Sequence, residues 1–256
     1  NFSTKNLQPA QHFVPNQKLL KNKIILLVGA TGGIGQSVAK ALAKEQAELI
    51  LIGRQKKTLE SLYDEIVSLG LPEPALYPCD LMNLGIEEAS VIREHIAKLY
   101  GRLDGYIHCA GAWGTFTPIE YYPEKQWLQV MHLNLNVPFL LIKNMLPLLK
   151  LSPLSSIILT ESPLSANTLP LHGAFNCSQY GLRALIAIVK QELQHVSVTI
   201  TGINPECVST PLRAKLYPAA NDKGILPEQI APYYVKLLQN PQLYHGKSLT
   251  IAELND

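Results

Sequence analysis

The residues best placed to do chemistry in this chain are four glycines, Gly29, Gly32, Gly33 and Gly35, which follow an apolar run. Ile24-Ile25-Leu26-Leu27-Val28 reads as a strand buried on both faces. After the glycines, Gln36 to Glu45 has helix-forming composition, with Val38, Ala39, Leu42 and Ala43 on one face. A strand that feeds a glycine turn and then a helix presents unpaired N–H groups and the positive end of a helix dipole. Those suit a pyrophosphate. A tight strand-to-helix connection without a ligand satisfies the same pattern, and glycines at 29, 32, 33 and 35 depart from the usual dinucleotide spacing.

The elements that must position this turn follow from length and patterning. A chain of 256 residues, 47% hydrophobic and 16% charged, buries a large core and excludes disorder. A net charge of +2 gives no argument for nucleic acid or a membrane surface. No apolar run is long enough to span a bilayer, and no signal peptide is visible. Cys79, Cys109, Cys177 and Cys207 form no Cys-x-x-Cys pair, so we expect free thiols in a reducing, cytoplasmic setting and no zinc or other metal site.

Residues 1–22 carry Pro9 and Pro15 without periodicity and read as a surface-lying tail, leaving 23–256 as one domain. Expected strands at 48–52, 75–79, 105–108, 156–160, 198–203 and 248–251 alternate with expected helices at 57–69, 87–100, 127–149 (one or two), 175–193 and 228–238. The stretch 205–226 reads as a loop-rich excursion. This alternation predicts an α/β fold: a single doubly wound, Rossmann-type parallel sheet flanked by helices on both faces.

In order along the chain, further landmarks resemble the short-chain dehydrogenase/reductase family, in particular its bacterial oxidoreductases. Gly29, Gly33 and Gly35, with Thr31, Gly32 and Ile34 between them, resemble the family's Gly-x-x-x-Gly-x-Gly turn. Asp80-Leu81 matches the pair that faces the adenine. Ala110-Gly111 resembles the fourth-strand signature, with Cys109 in place of Asn. Asn134 matches the catalytic helix Asn. Asn204-Pro205 and Thr210 resemble the loop over the nicotinamide, with Glu206 in place of Gly. The resemblance implies a dinucleotide cofactor, a small-molecule substrate if the protein is active, and a homodimer or homotetramer. Gly53 takes the position where an acidic residue would bind a ribose hydroxyl, and Arg54 follows it. A guanidinium grips a 2′-phosphate, so NADP(H) is favoured over NAD(H).

The resemblance also fixes where the reacting residues belong. Its serine falls at Ser162, and its Tyr-x-x-x-Lys frame falls on Phe175 and Gln179. Phe carries no titratable proton and Gln no positive charge. Two readings stay open. One is a cofactor-binding pseudoenzyme in which Gln179 only helps to hold the ribose. The other is an active NADPH-dependent oxidoreductase refitted around Ser162, Asn134 and His172, with Glu161 and Glu206 nearby. A more distant variant reduces an activated double bond, with water supplying the proton. Cys177 and Cys207 read as small buried thiols rather than reactive groups.

Overall fold

The computed structural model describes residues 19–162, 168–216 and 224–255. Among these, seven strands form one sheet: β1 (Ile24–Val28), β2 (Glu48–Gly53), β3 (Ala75–Pro78), β4 (Gly105–His108), β5 (Ser155–Thr160), β6 (Val198–Asn204) and β7 (Ser248–Thr250). The spatial order is β3-β2-β1-β4-β5-β6-β7, and each neighbouring pair is parallel. The chain switches direction between β1 and β4, where open α/β sheets leave a crevice for a ligand.

Alternation along β1 feeds two cores. Ile24, Leu26 and Val28 pack with α3 (Ile86–Tyr100), α5 (Val137–Leu149) and α6 (Gly173–Glu192). Ile25 and Leu27 pack with α1 (Gly33–Lys44), α2 (Lys56–Ser68) and α8 (Pro227–Gln239) on the other face. A strand so covered must be apolar at every position, as this one is. The short α4 (Glu124–Met131) precedes a five-residue π turn, His132–Asn136. In that turn the Val137 N–H bonds the His132 carbonyl, five residues back. Pro138 has no N–H to offer the Asn134 carbonyl four residues earlier.

Several expected boundaries move. The first helix starts at Gly33 rather than Gln36, so two glycines belong to its opening turn. The third strand ends at Pro78, and the last strand ends at Thr250 rather than Ile251. Glu253 accepts from the Thr250 N–H at 2.7 Å, which opens α10 (Ile251–Asn255). Within the expected excursion, Pro211–Leu216 forms α7, and 217–223 lie outside the described residues. Of the expected tail, 1–18 also lie outside them. Leu20 corrects the surface reading for its end: it is buried in the core shared with α1, α2 and α8, because its apolar side chain gains by leaving water there. Pro241–Tyr244 forms α9.

The amino-terminal edge of the sheet is tied at Asp104. Its carboxylate accepts from the Ile24 N–H (3.0 Å), the Ser152 hydroxyl (2.7 Å), Lys23 (3.2 Å) and Arg102 (3.3 Å). Burial works against that charge, yet these donors hold the carboxyl below the usual carboxylate range. No helix among the described residues is long and apolar enough to cross a membrane.

Candidate functional site

A cavity of about 650 Å³ opens at the carboxyl edge of the sheet, over the switch point. It is large enough for a cofactor-sized ligand. Gly29, Thr31, Gly32, Gly33, Ile34, Arg54, Asp80, Leu81, Ala110, Gly111, Asn134, Ser162, Phe175, Gln179, Pro205 and Thr210 all line it. Gly35 does not; its work is steric, since a Cβ there would lie 2.1 Å from the Gly29 carbonyl oxygen.

One end is built for an anion. Gly29 has φ +84°, and a Cβ on it would meet the Ala110 nitrogen at 2.6 Å, so only glycine closes β1 onto the turn after β4. The first intrahelical bond of the turn runs from the Gln36 N–H to the Gly32 carbonyl at 3.0 Å. The N–H groups of α1's opening residues therefore lack helical acceptors and are available to a ligand. Gly53 is fully buried against Thr31: a Cβ at 53 would lie 2.5 Å from Thr31 Cγ2. Arg54 next to it is exposed, lines the cavity and has no ion pair or hydrogen bond among the described residues. Asp80 caps the short turn that follows it by accepting from the Met82 N–H at 3.2 Å. The donor set, an uncompensated guanidinium and a glycine-lined helix start, fits a phosphorylated dinucleotide.

The other end is bound to itself. Phe175 stacks on Trp113, with ring centroids 4.1 Å apart and planes 10° from parallel. Gln179, one turn further along α6, accepts the Ser162 N–H through Oε1 at 2.9 Å. Asn134 accepts the Ala112 N–H at 2.8 Å, and its Nδ2 donates to the Ala112 carbonyl (2.8 Å) and the Ser178 hydroxyl (3.0 Å). Ser178 in turn donates to the Phe175 carbonyl at 2.7 Å. Glu161 lines the cavity, yet its carboxylate reaches past Gly202 to accept from Ser248 (2.6 Å) and Arg183 (3.4 Å). A Cβ at Gly202 would lie 2.4 Å from that Oε1, so the glycine makes room for it.

His172 ends the loop before α6, where its Nδ1 bonds the Pro170 carbonyl (2.8 Å) and its ring packs on Phe116. It is not among the described residues lining the cavity. Glu206 does line it, from a left-handed turn with φ +60° that a glycine would adopt more easily. A Tyr-x-x-x-Lys spacing does exist elsewhere, from Tyr121 to Lys125. Pro123 interrupts it, both residues are exposed, and neither is among the described residues lining the cavity.

Among the cavity residues that sequence reasoning missed are Trp113, His108 and Arg213. Trp113 lies two residues beyond Gly111, and Arg213 three beyond Thr210, so proximity to the landmarks was the available signal. His108 is buried, with Nδ1 2.8 Å from the Tyr106 hydroxyl and Nε2 without a hydrogen-bond partner among the described residues. Burial pushes it down to about 4, so it is neutral at pH 7. Burial also raises the Cys79 and Cys109 thiols to about 11, so neither is a thiolate nucleophile there. Cys177 and Cys207, expected to be buried, are exposed instead: one lies on an outward position of α6 and the other in the loop after β6.

The family model described as short chain dehydrogenase matches residues 23–221. The uncharacterized oxidoreductase YciK of Escherichia coli K12 is 31% identical over 228 residues, 89% of this chain and 90% of that protein. A short chain dehydrogenase structure from Shigella flexneri 2a, complexed with NADP, superposes with TM-score 0.87 at 29% identity, covering 92% of this chain and 99% of that one. One from Escherichia coli CFT073, complexed with NADPH, gives TM-score 0.87 at 30% identity and the same coverage.

Proposed function

Because the chain belongs to the short chain dehydrogenase family, we propose that it binds NADP(H) and is impaired in ordinary carbonyl and alcohol redox chemistry. The observation that carries the cofactor reading is Arg54, a cavity-lining cation beside a glycine, with no ion pair or hydrogen bond among the described residues. In this reading the opening turn of α1 holds the pyrophosphate, Arg54 the 2′-phosphate, and Asp80 and Leu81 flank the adenine. Pro205 and Thr210 belong to the segment that covers the far end, and Gln179 faces its ribose. When bound, the dinucleotide supplies or accepts a hydride.

What this chain's own residues can add is a question of protons. Ser162 offers a hydroxyl, while Phe175, which takes the place of the family's tyrosine, offers none. Asn134 has its amide engaged at both ends. A positioned general acid or base is worth about 10²–10⁴-fold, and that contribution is what the site lacks. The same reading treats the protein as a cytoplasmic homo-oligomer, on family likeness and unpaired cysteines.

Calorimetry with NADPH and NADH tests the first half: binding of NADPH in preference to NADH supports it, and no binding of either overturns it. A carbonyl panel with NADPH tests the second. Turnover at the roughly 1–10³ s⁻¹ common among enzymes overturns the impairment and favours the active reading, in which Ser162 and Asn134 serve a refitted site. That reading has one observation of its own, that both residues line the same cavity as Arg54.

A further inference from the structure

We propose that Gln179 is a positioning residue: its Oε1 fixes the main chain at Ser162, and only its Nε2 is left to meet a hydroxyl-rich ligand. The Ser162 N–H and Gln179 Oε1 lie 2.9 Å apart, in residues 7% and 5% exposed. A main-chain N–H can only donate, so the partner must be the amide oxygen and the orientation of the amide is set. The bond joins the end of β5 to the second turn of α6, and both residues line the cavity.

The consequence is a division of labour that no cation could perform. An ammonium at 179 has three donors and no acceptor, so it would take away the acceptor that the Gln179 amide oxygen gives the Ser162 N–H in a buried place. A carboxylate would keep the acceptor and lose the donor. The amide keeps both, without charge. Its N–H groups suit the oxygens of a sugar hydroxyl pair, and they hold such a ligand without altering the ionisation of any neighbour. The ligand half of this inference rests on the NADP(H) reading; the clamp half does not.

Three variants of the full chain separate the halves: Gln179→Glu, Gln179→Leu and Gln179→Lys. Each is read by NADPH calorimetry, by melting without ligand and by residue-resolved exchange of the Ser162 amide proton. With the clamp intact in Gln179→Glu, Ser162 stays protected and Tm holds within about 2 °C, while the NADPH Kd rises about tenfold. Gln179→Leu and Gln179→Lys speed Ser162 exchange about tenfold and lower Tm by about 3–8 °C. Gln179→Lys loses protection without losing NADPH affinity, because its donors remain. Ser162 exchange that is equally fast in the wild type and Gln179→Leu overturns the clamp, as does Gln179→Glu destabilising as much as Gln179→Leu. A Gln179→Glu variant that binds NADPH as tightly as wild type overturns the donor role. Should the Leu and Lys variants fail to fold, Ser162 protection in the wild type and in Gln179→Glu decides the clamp alone. A wild type that binds no NADPH sinks the cofactor reading and the donor role together, and Ser162 exchange still judges the clamp.

Discussion

The two ends of the cavity rise from the same carboxyl edge of one parallel sheet and treat their polar groups in opposite ways. At the anion end, Arg54 and the opening N–H groups of α1 have no partner to give up among the described residues. At the other end Gln179, Asn134, Ser178 and Glu161 are joined to the protein itself, and the aromatic ring of Phe175 lies on Trp113. A group that is already bonded rigidifies a site, whereas an unbonded one invites a ligand. The contrast teaches that one cavity can leave the donors at one end open to a ligand while those at the other end serve the scaffold.

The change that would do most to break the contrast is at the joined end. Phe175→Tyr with Gln179→Lys restores a phenol and a cation one helical turn apart, and carbonyl turnover should rise about 10²–10⁴-fold over wild type. The same variant should melt lower than wild type, because the Ser162 N–H loses its acceptor. Unchanged turnover in a folded, NADPH-binding variant would show that more than the pair has been lost.

His108 lines the cavity, buried and neutral at pH 7. An unfolded-state histidine titrates near 6.5 and the folded one near 4. The unfolded chain therefore takes up the proton first. The stability this contributes is complete above pH 6.5 and drains away as pH falls towards 4, to a total of about 3 kcal/mol. Denaturant unfolding at pH 7 and pH 4.5 should show His108→Asn losing less than wild type over that interval. Equal losses would place the sensitivity elsewhere.

Arg54→Ala sharpens the contrast from the open end. Losing a charge-assisted contact to phosphate should weaken NADPH about 10- to 100-fold while NADH changes less than about threefold. Parallel losses for both would make Arg54 a pyrophosphate contact instead.

The smallest effect compares backbone strain. The anion end places its positive φ on Gly29, the other end on Glu206 at φ +60°. Glu206→Gly should stabilise by roughly 1 kcal/mol, a rise in Tm of about 2–4 °C. A lower Tm would mean that the Glu206 side chain holds the loop more firmly than its backbone strains it.

Much of the fold was legible because its signals are local. The apolar β1, the glycine turn and the alternation of strand and helix each fit within a dozen residues, and Arg54 is adjacent to its glycine. The joined end was legible as residue types and not as bonds. Nothing near Gln179 in sequence announces that its oxygen lies on Ser162, or that Glu161 crosses beneath Gly202 to Ser248. Those contacts exist only once β5, β6, β7 and α6 are side by side. His172 illustrates the reverse. Its chemistry invited a role, but the backbone turn before α6 points it at Pro170 and Phe116.

The contact between Gly53 and Thr31 bears on how such a chain can evolve. An acidic side chain at 53, the simplest route towards the unphosphorylated dinucleotide, meets the stiff β-branched Thr31 at 2.5 Å before it meets any ligand. Thr31 must shrink or turn away first, and that step alone brings no new preference. On the NADP(H) reading, a change of cofactor at 53 is therefore coupled to Thr31, and the order of the two substitutions decides whether the path is open.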